Sequence, residues 1–137
     1  MGMTYEQFKE NARGRNFSDS SVYLRIIKDL NELYDETKDF VFFYPRNLWN
    51  NEEIELIFFL KDGYLTIKKI KEDYQYKQFK CKVLSKSLIK NQYEYNEYQL
   101  KLKFDNGKKL FFSSTLDSNK SWASTYSQSI INLYKTI

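Results

Sequence analysis

The sequence predicts an α+β chain with helices first, then an antiparallel β-meander of about six strands, then a closing amphipathic helix. Apolar residues recur at helical spacing in the N-terminal third and again at the C-terminus. Between those regions the pattern switches to aromatic and β-branched runs with two-residue alternation, punctuated by Asx-Gly turns. No linker, internal repeat or low-complexity stretch interrupts the 137 residues, so the helices and strands belong to one domain spanning 1–137. A chain of this length buries roughly 68–70% of its unfolded surface, and twelve Tyr and eleven Phe supply the core.

The helical segment covers 4–37. Thr4-Tyr5-Glu6-Gln7 reads as a capping box opening a short helix that ends near Arg13. After a break at 14–21, a second helix over about 21–37 places Val22, Ile26, Ile27, Leu30, Leu33 and Tyr34 at helical spacing, with Ser20 or Ser21 as its cap. The meander covers 39–114. DFVFFY, 39–44, is a strand ended by Pro45. Residues 52–72 read as a hairpin with Asp62-Gly63 as a two-residue turn, which pairs Leu60 with Leu65 and Phe58 with Ile67. Its first arm is apolar on both faces and is expected to be covered on both. Residues 76–86 alternate as one strand, Phe79, Cys81 and Val83 one way and Gln78, Lys80 and Lys82 the other. The stretch after it, through Tyr95 and Asn96, reads either as a long loop or as an early strand. The closing helix, about 118–136, aligns Trp122, Tyr126, Ile130, Leu133 and Ile137, with Asp117 or Ser118 as its cap and Ser127 on its polar side.

The register of KLKFDNGKKLFF, 101–112, follows from segregation of its side chains. A two-residue turn at Asn106-Gly107 would set Lys103 opposite Leu110 and mix charge with apolar residues on both faces. A three-residue loop, with Gly107 left-handed, pairs Leu102 with Leu110 and Leu100 with Phe112 on one face, and Lys103 with Lys109 and Lys101 with Phe111 on the other. A one-residue slip flips every side chain, so the segregated register is preferred. With the 76–86 strand alongside, Lys80 and Lys82 extend the charged face. Lys80, Lys82, Lys101, Lys103 and Lys109 are therefore the candidate anion-binding residues. Residues 61–109 hold 13 Lys against 6 acidic residues, a net of +7, whereas the rest of the chain sums to −3. Tyr74, Tyr76, Tyr93, Tyr95 and Tyr98 lie near this segment, in keeping with stacking on bases, but Arg is absent from 61–109.

Several chemistries are excluded. Without histidine there is no His-ligated zinc site and no Ser-His-Asp or Cys-His nucleophile. Cys81, the single cysteine, reads as a small buried hydrophobe. Ser87-Leu88-Ile89-Lys90 matches Ser-x-x-Lys but lacks the companion elements of that acyl-enzyme class. Glu52, Glu53 and Glu55 form the one tight acidic cluster, read as an ion-pair face with Lys69 and Lys71 opposite. No phosphate-cradling glycine motif is present, and no cofactor or metal is expected. One cysteine, no signal-peptide pattern and no apolar run near the ~20 residues of a membrane helix imply a cytoplasmic chain.

The order of elements from 39 to 137, a curved meander closed by one amphipathic helix with Trp122 in its first turn, resembles the pleckstrin-homology-like fold, as a sandwich or half-barrel. The bacterial versions often carry helices ahead of the first strand, as 4–37 would be here. The composition also resembles that of a small family of uncharacterised proteins from low-G+C Gram-positive bacteria. Eukaryotic lipid binders of that fold use Lys and Arg near the turn of the first hairpin. Here the 52–72 hairpin has Lys61, Lys68, Lys69 and Lys71 but no Arg, so phosphoinositide binding is not carried over. The expectation is a non-enzymatic binding module that engages a protein or peptide partner. The alternatives are nucleic-acid or anionic-membrane binding through the lysine face, and a small-ligand carrier or hydrolase with a pocket between sheet and helices.

Overall fold

A computed structural model describes residues 3–91, 93 and 97–137. Helix α1 (Tyr5–Arg13) opens with the expected capping box: the Gln7 amide donates to Thr4 Oγ1 at 3.1 Å and the Thr4 amide to Gln7 Oε1 at 2.9 Å. Helix α2 (Ser20–Leu33) ends four residues earlier than the periodicity predicts. Tyr34 is extended, and a separate turn of helix, α3 (Glu36–Asp39), follows with Asp35 accepting from the Thr37 amide. Leu33, counted with the apolar set, is 62% exposed at the last position of the helix. Buried Lys9 joins α1 to α3, with Nζ 2.8 Å from both Glu6 and Glu36.

Seven strands follow where about six were expected: β1 (Phe40–Arg46), β2 (Glu55–Leu60), β3 (Gly63–Ile70), β4 (Asp73–Lys80), β5 (Val83–Lys90), β6 (Tyr98–Phe104) and β7 (Lys109–Ser113). They form two antiparallel sheets, sheet A in the order β1-β2-β3-β4 and sheet B in the order β5-β6-β7. Pro45 lies within β1 rather than ending it, which an edge strand tolerates because no partner needs its missing donor. The β2–β3 hairpin pairs Phe59 with Tyr64 and Phe58 with Leu65, two residues away from the expected register. The loop is Lys61-Asp62, and Gly63 is already in the strand, opposite Leu60 and Lys80, at φ +152°. A slip of two keeps every side chain on its expected face. The strand read as 76–86 is divided at Cys81-Lys82, where the chain leaves sheet A for sheet B. Helix α4 (Ala123–Thr136) starts about five residues later than expected, since neither proposed cap serves it. Asp117 is committed to a buried polar cluster, and the Asn119 side chain accepts the Trp122 amide at 3.0 Å instead.

Packing forms three layers. One face of sheet A, with Leu56, Phe58, Leu65 and Ile67, is covered by α1 and α2 through Phe8, Tyr23, Ile26 and Leu30. The other, with Tyr44, Ile57, Phe59 and Tyr64, packs on the inner face of sheet B and on Tyr126, Ile130 and Leu133 of α4. The double coverage expected for the first hairpin arm is thus present. Ser127, placed by sequence on the polar side of α4, is buried. Trp49 and Trp122 stack at 4.2 Å with planes 4° apart and touch both core clusters.

So many buried phenols make the fold sensitive to alkali. Burial, the largest cause in each case, holds Tyr5, Tyr23, Tyr44, Tyr76 and Tyr126 well above the ordinary phenol range and pushes Tyr64 up to about 12. These groups bind protons more tightly folded than unfolded. Their contribution is therefore complete below about pH 10 and is lost as the pH rises through the folded values. Absorbance at 295 nm should show the buried set ionising only in a cooperative step that coincides with loss of the circular dichroism signal. Gradual titration of all twelve with the signal intact would contradict this.

Candidate functional site

Sheet A has both faces covered, but sheet B has only one. Pairing across β5, β6 and β7 lays the outer face of sheet B out in rows: Ser85, Lys103 and Lys109; then Ser87, Lys101 and Phe111; then Ile89, Gln99 and Ser113. The first two rows are exposed throughout. They line an open groove of about 490 Å³. The register expected for 101–112 is the one found, and Gly107 sits at φ +83° with its amide donating to Phe104 O at 3.2 Å.

This face brings together three of the five candidate lysines, Lys101, Lys103 and Lys109. Lys80 and Lys82 lie outside these rows, Lys80 at the end of β4 in sheet A and Lys82 at the corner between the sheets. Phe79, Cys81 and Val83 do all turn inward, but the outer faces of the two sheets are different surfaces. Lys80 shares the side of Gln78, which accepts from Tyr34 at the end of α2. Lys82 sits in the corner, where its amide donates to Asp105 Oδ1 at 2.9 Å and its carbonyl accepts the Asp105 amide. A bulge between Val83 and Ser85 then pushes Leu84 out to 66% exposure and aims Ser85 and Ser87 at the lysine row. These two serines escaped the sequence reading. The alternation in SKS was visible, but the change of sheet that gives it a new partner was not.

Sheet B is cationic without relief of its own. Its three strands contain Lys86, Lys90, Lys101, Lys103 and Lys109 and no Asp or Glu. Among the described residues none of Lys101, Lys103 and Lys109 makes an ion pair. Lys103 and Lys109 stand directly opposite each other, an arrangement that disfavours itself by roughly 0.2–1 kcal/mol. Lys86 turns the other way, donating to Tyr134 O at the end of α4 at 2.8 Å.

The free edge of sheet B is also defined. The Phe104 amide bonds Lys108 O and the Ser114 amide bonds Tyr98 O, whereas the Asp105 amide bonds Lys82 O. Even-numbered residues of β6 therefore pair with β7 and odd-numbered ones with β5. It follows that Ser85, Ser87 and Ile89 pair with β6, and that the main-chain groups of Lys86, Leu88 and Lys90 point away from the sheet. Among the described residues, nothing outside the ladder hydrogen-bonds to them. The opposite edge is occupied. Arg46 reaches the carbonyl of Phe111, and Asp117 Oδ2 takes the Ser113 amide at 2.9 Å.

Glu55, read as facing Lys69 and Lys71, instead pairs with Arg46 at 2.9 Å. A second cavity of about 390 Å³ opens between α1, β1 and α4, beside Tyr5, Phe40, Phe42 and Asn132. Tyr95, grouped with the aromatic residues near the lysines, lies outside the described residues, and Tyr93 is 84% exposed. Cys81 is buried, and burial raises its thiol pKa, as do Asp105 and Asp62. Among the described residues no group of three His, Cys, Asp or Glu is placed to hold a metal, and no helix is long and apolar enough to cross a membrane.

Fold and site together define a two-sheet α+β protein closed by a C-terminal helix, with one cationic sheet face left open. The chain belongs to the family described as protein of unknown function (DUF3908), which it matches over residues 3–128. No curated protein and no solved structure matches it.

Proposed function

We propose that the chain is a non-enzymatic binding module that engages an extended segment of a protein partner at sheet B, by main-chain pairing along the free edge of β5. The observation that carries this is the row of unpaired backbone groups at Lys86, Leu88 and Lys90 on an eight-residue strand. Such an edge is a ready template for another strand. The four-plus-three division of the strands and the closing helix support a pleckstrin-homology-like reading of the architecture. The single buried cysteine supports a reducing, cytoplasmic setting. The ligand-carrier alternative rests on the cavity beside Tyr5 and Phe42.

Two nine-residue β-prone peptides, one neutral and one acidic, titrated into 15N-labelled protein test the binding reading. Binding is expected to shift the amides of Lys86, Leu88 and Lys90 first. Lys86→Pro removes an edge donor that β6 does not use, and Pro is tolerated at such positions. It is expected to abolish those shifts while leaving the native spectrum in place. Shifts centred elsewhere, or none from either peptide, overturn the reading.

A further inference from the structure

We infer that the segment taken by β5 is acidic in a defined alternation: carboxylates at two positions two residues apart, and an apolar side chain two residues beyond them. The inference rests on strand addition at β5 and names the chemistry of the partner. A strand added to this edge places every second side chain on the outer face, level with Ser85, Ser87 and Ile89. Strands lie about 4.8 Å apart, so the added strand runs roughly 10 Å from β6. A serine fills little of that span. A Glu reaching across Ser85 therefore meets the Lys103–Lys109 pair, and one reaching across Ser87 meets Lys101 beside Phe111. The third row offers no cation. Ile89, 44% exposed, stands next to Gln99 there, which suits an apolar neighbour.

Charge complementarity selects this occupant. The strands of sheet B carry no carboxylate, and the two opposed lysines gain from an anion placed beside Lys103. Nucleic acid would use the same cations, but Phe111 is the one aromatic ring on the outer face of these three strands. Single-strand recognition relies on successive stacking platforms.

Three peptides decide the matter. The first, Glu-Thr-Glu-Thr-Val-Thr-Glu-Thr-Glu, contains the alternation in both chain directions. The second replaces each Glu by Gln, and the third rearranges the same residues as Glu-Glu-Thr-Thr-Val-Thr-Thr-Glu-Glu, which spreads the charges over both faces. Titrations to about 1 mM, the range in which weak complexes saturate, follow the amides of 15N-labelled protein. The first peptide is expected to bind about five-fold more tightly than either control, as two partly screened ion pairs would give. The preference should vanish in the Lys101→Gln/Lys103→Gln variant and weaken with salt.

Equal binding of the first two peptides at Lys86, Leu88 and Lys90 overturns the acidic pattern and leaves strand addition standing. Binding by none of the three overturns both. Shifts confined to Lys101, Lys103 and Lys109 without the edge amides also overturn the inference. So does an octathymidylate strand that occupies the same face more tightly than the first peptide, since the partner would then be nucleic acid.

Discussion

Arg46→Met is expected to destabilise the fold by about 3 kcal/mol, read as a drop in the urea midpoint with the slope unchanged. Arg46 lies between two carboxylates at the end of β1, with Nη1 2.9 Å from Glu55 and Nε 3.2 Å from Asp117 Oδ1, the latter an ion contact without hydrogen-bond geometry. It also donates to the carbonyl of Phe111 and lies over the Phe112 ring at 4.9 Å. Methionine keeps the stem but leaves Glu55, Asp117 and an edge carbonyl of β7 without their cation. Asp117 is held besides by Tyr44 Oη at 2.7 Å and by the Ser113 amide. Burial nonetheless outweighs these partners and Arg46 and holds its pKa above the usual carboxylate value. Removing one partner of a buried pair costs roughly 3–5 kcal/mol. The lower end applies because the Arg46 and Glu55 side chains retain 18% and 20% of their exposure. Glu55→Gln, which keeps an acceptor for Arg46, should cost far less. Equal losses would show that the charge of Glu55, rather than its acceptor oxygen, carries the pairing.

That cluster also shows why the sequence was legible in some places and not in others. Patterns confined to one element came through: the Thr4–Gln7 box, the inward set of β6 and the register of the β6–β7 hairpin, where segregation of lysines from leucines admits one pairing. Features that depend on where the chain meets a distant segment did not. Asp117 has the residue type of a helix cap, but Tyr44, 73 positions away, takes its carboxylate. Cys81 and Lys82 continue the alternation of β4 without a break, so the change of sheet leaves no mark on periodicity. The corner is set by partners from two other hairpins, Asp62 O on the Cys81 amide and Asp105 Oδ1 on the Lys82 amide. Lys101, Lys103 and Lys109 thus fall in adjacent rows of sheet B, whereas Lys80 ends β4 in sheet A and Lys82 sits at the corner, a separation set by tertiary partners.

Gly63→Ala is expected to have the largest effect of an alanine at any of the described glycines. A Cβ at Gly63 would lie 1.8 Å from the Phe79 carbonyl oxygen and 3.1 Å from Lys80 Cα. Both are backbone atoms, so no flexible side chain can move aside. The residue also holds φ +152°, which L residues avoid. Relief requires opening the Gly63–Lys80 pairing, and that pairing adjoins the Cys81 amide bond to Asp62 O that starts the turn into sheet B. The loss should exceed about 4 kcal/mol, the range reserved for changes that break a named feature, and a large share of the 5–15 kcal/mol typical of a whole domain. Gly107→Ala supplies the contrast. At φ +83° it is left-handed too, but a Cβ there meets nothing within 4 Å, so the backbone preference alone acts, about 1–2 kcal/mol. Urea midpoints of the two variants separate conformational strain from collision. If the two alanines cost the same, the Phe79 carbonyl yields without loss, and the β3–β4 hairpin is not what fixes the corner between the sheets.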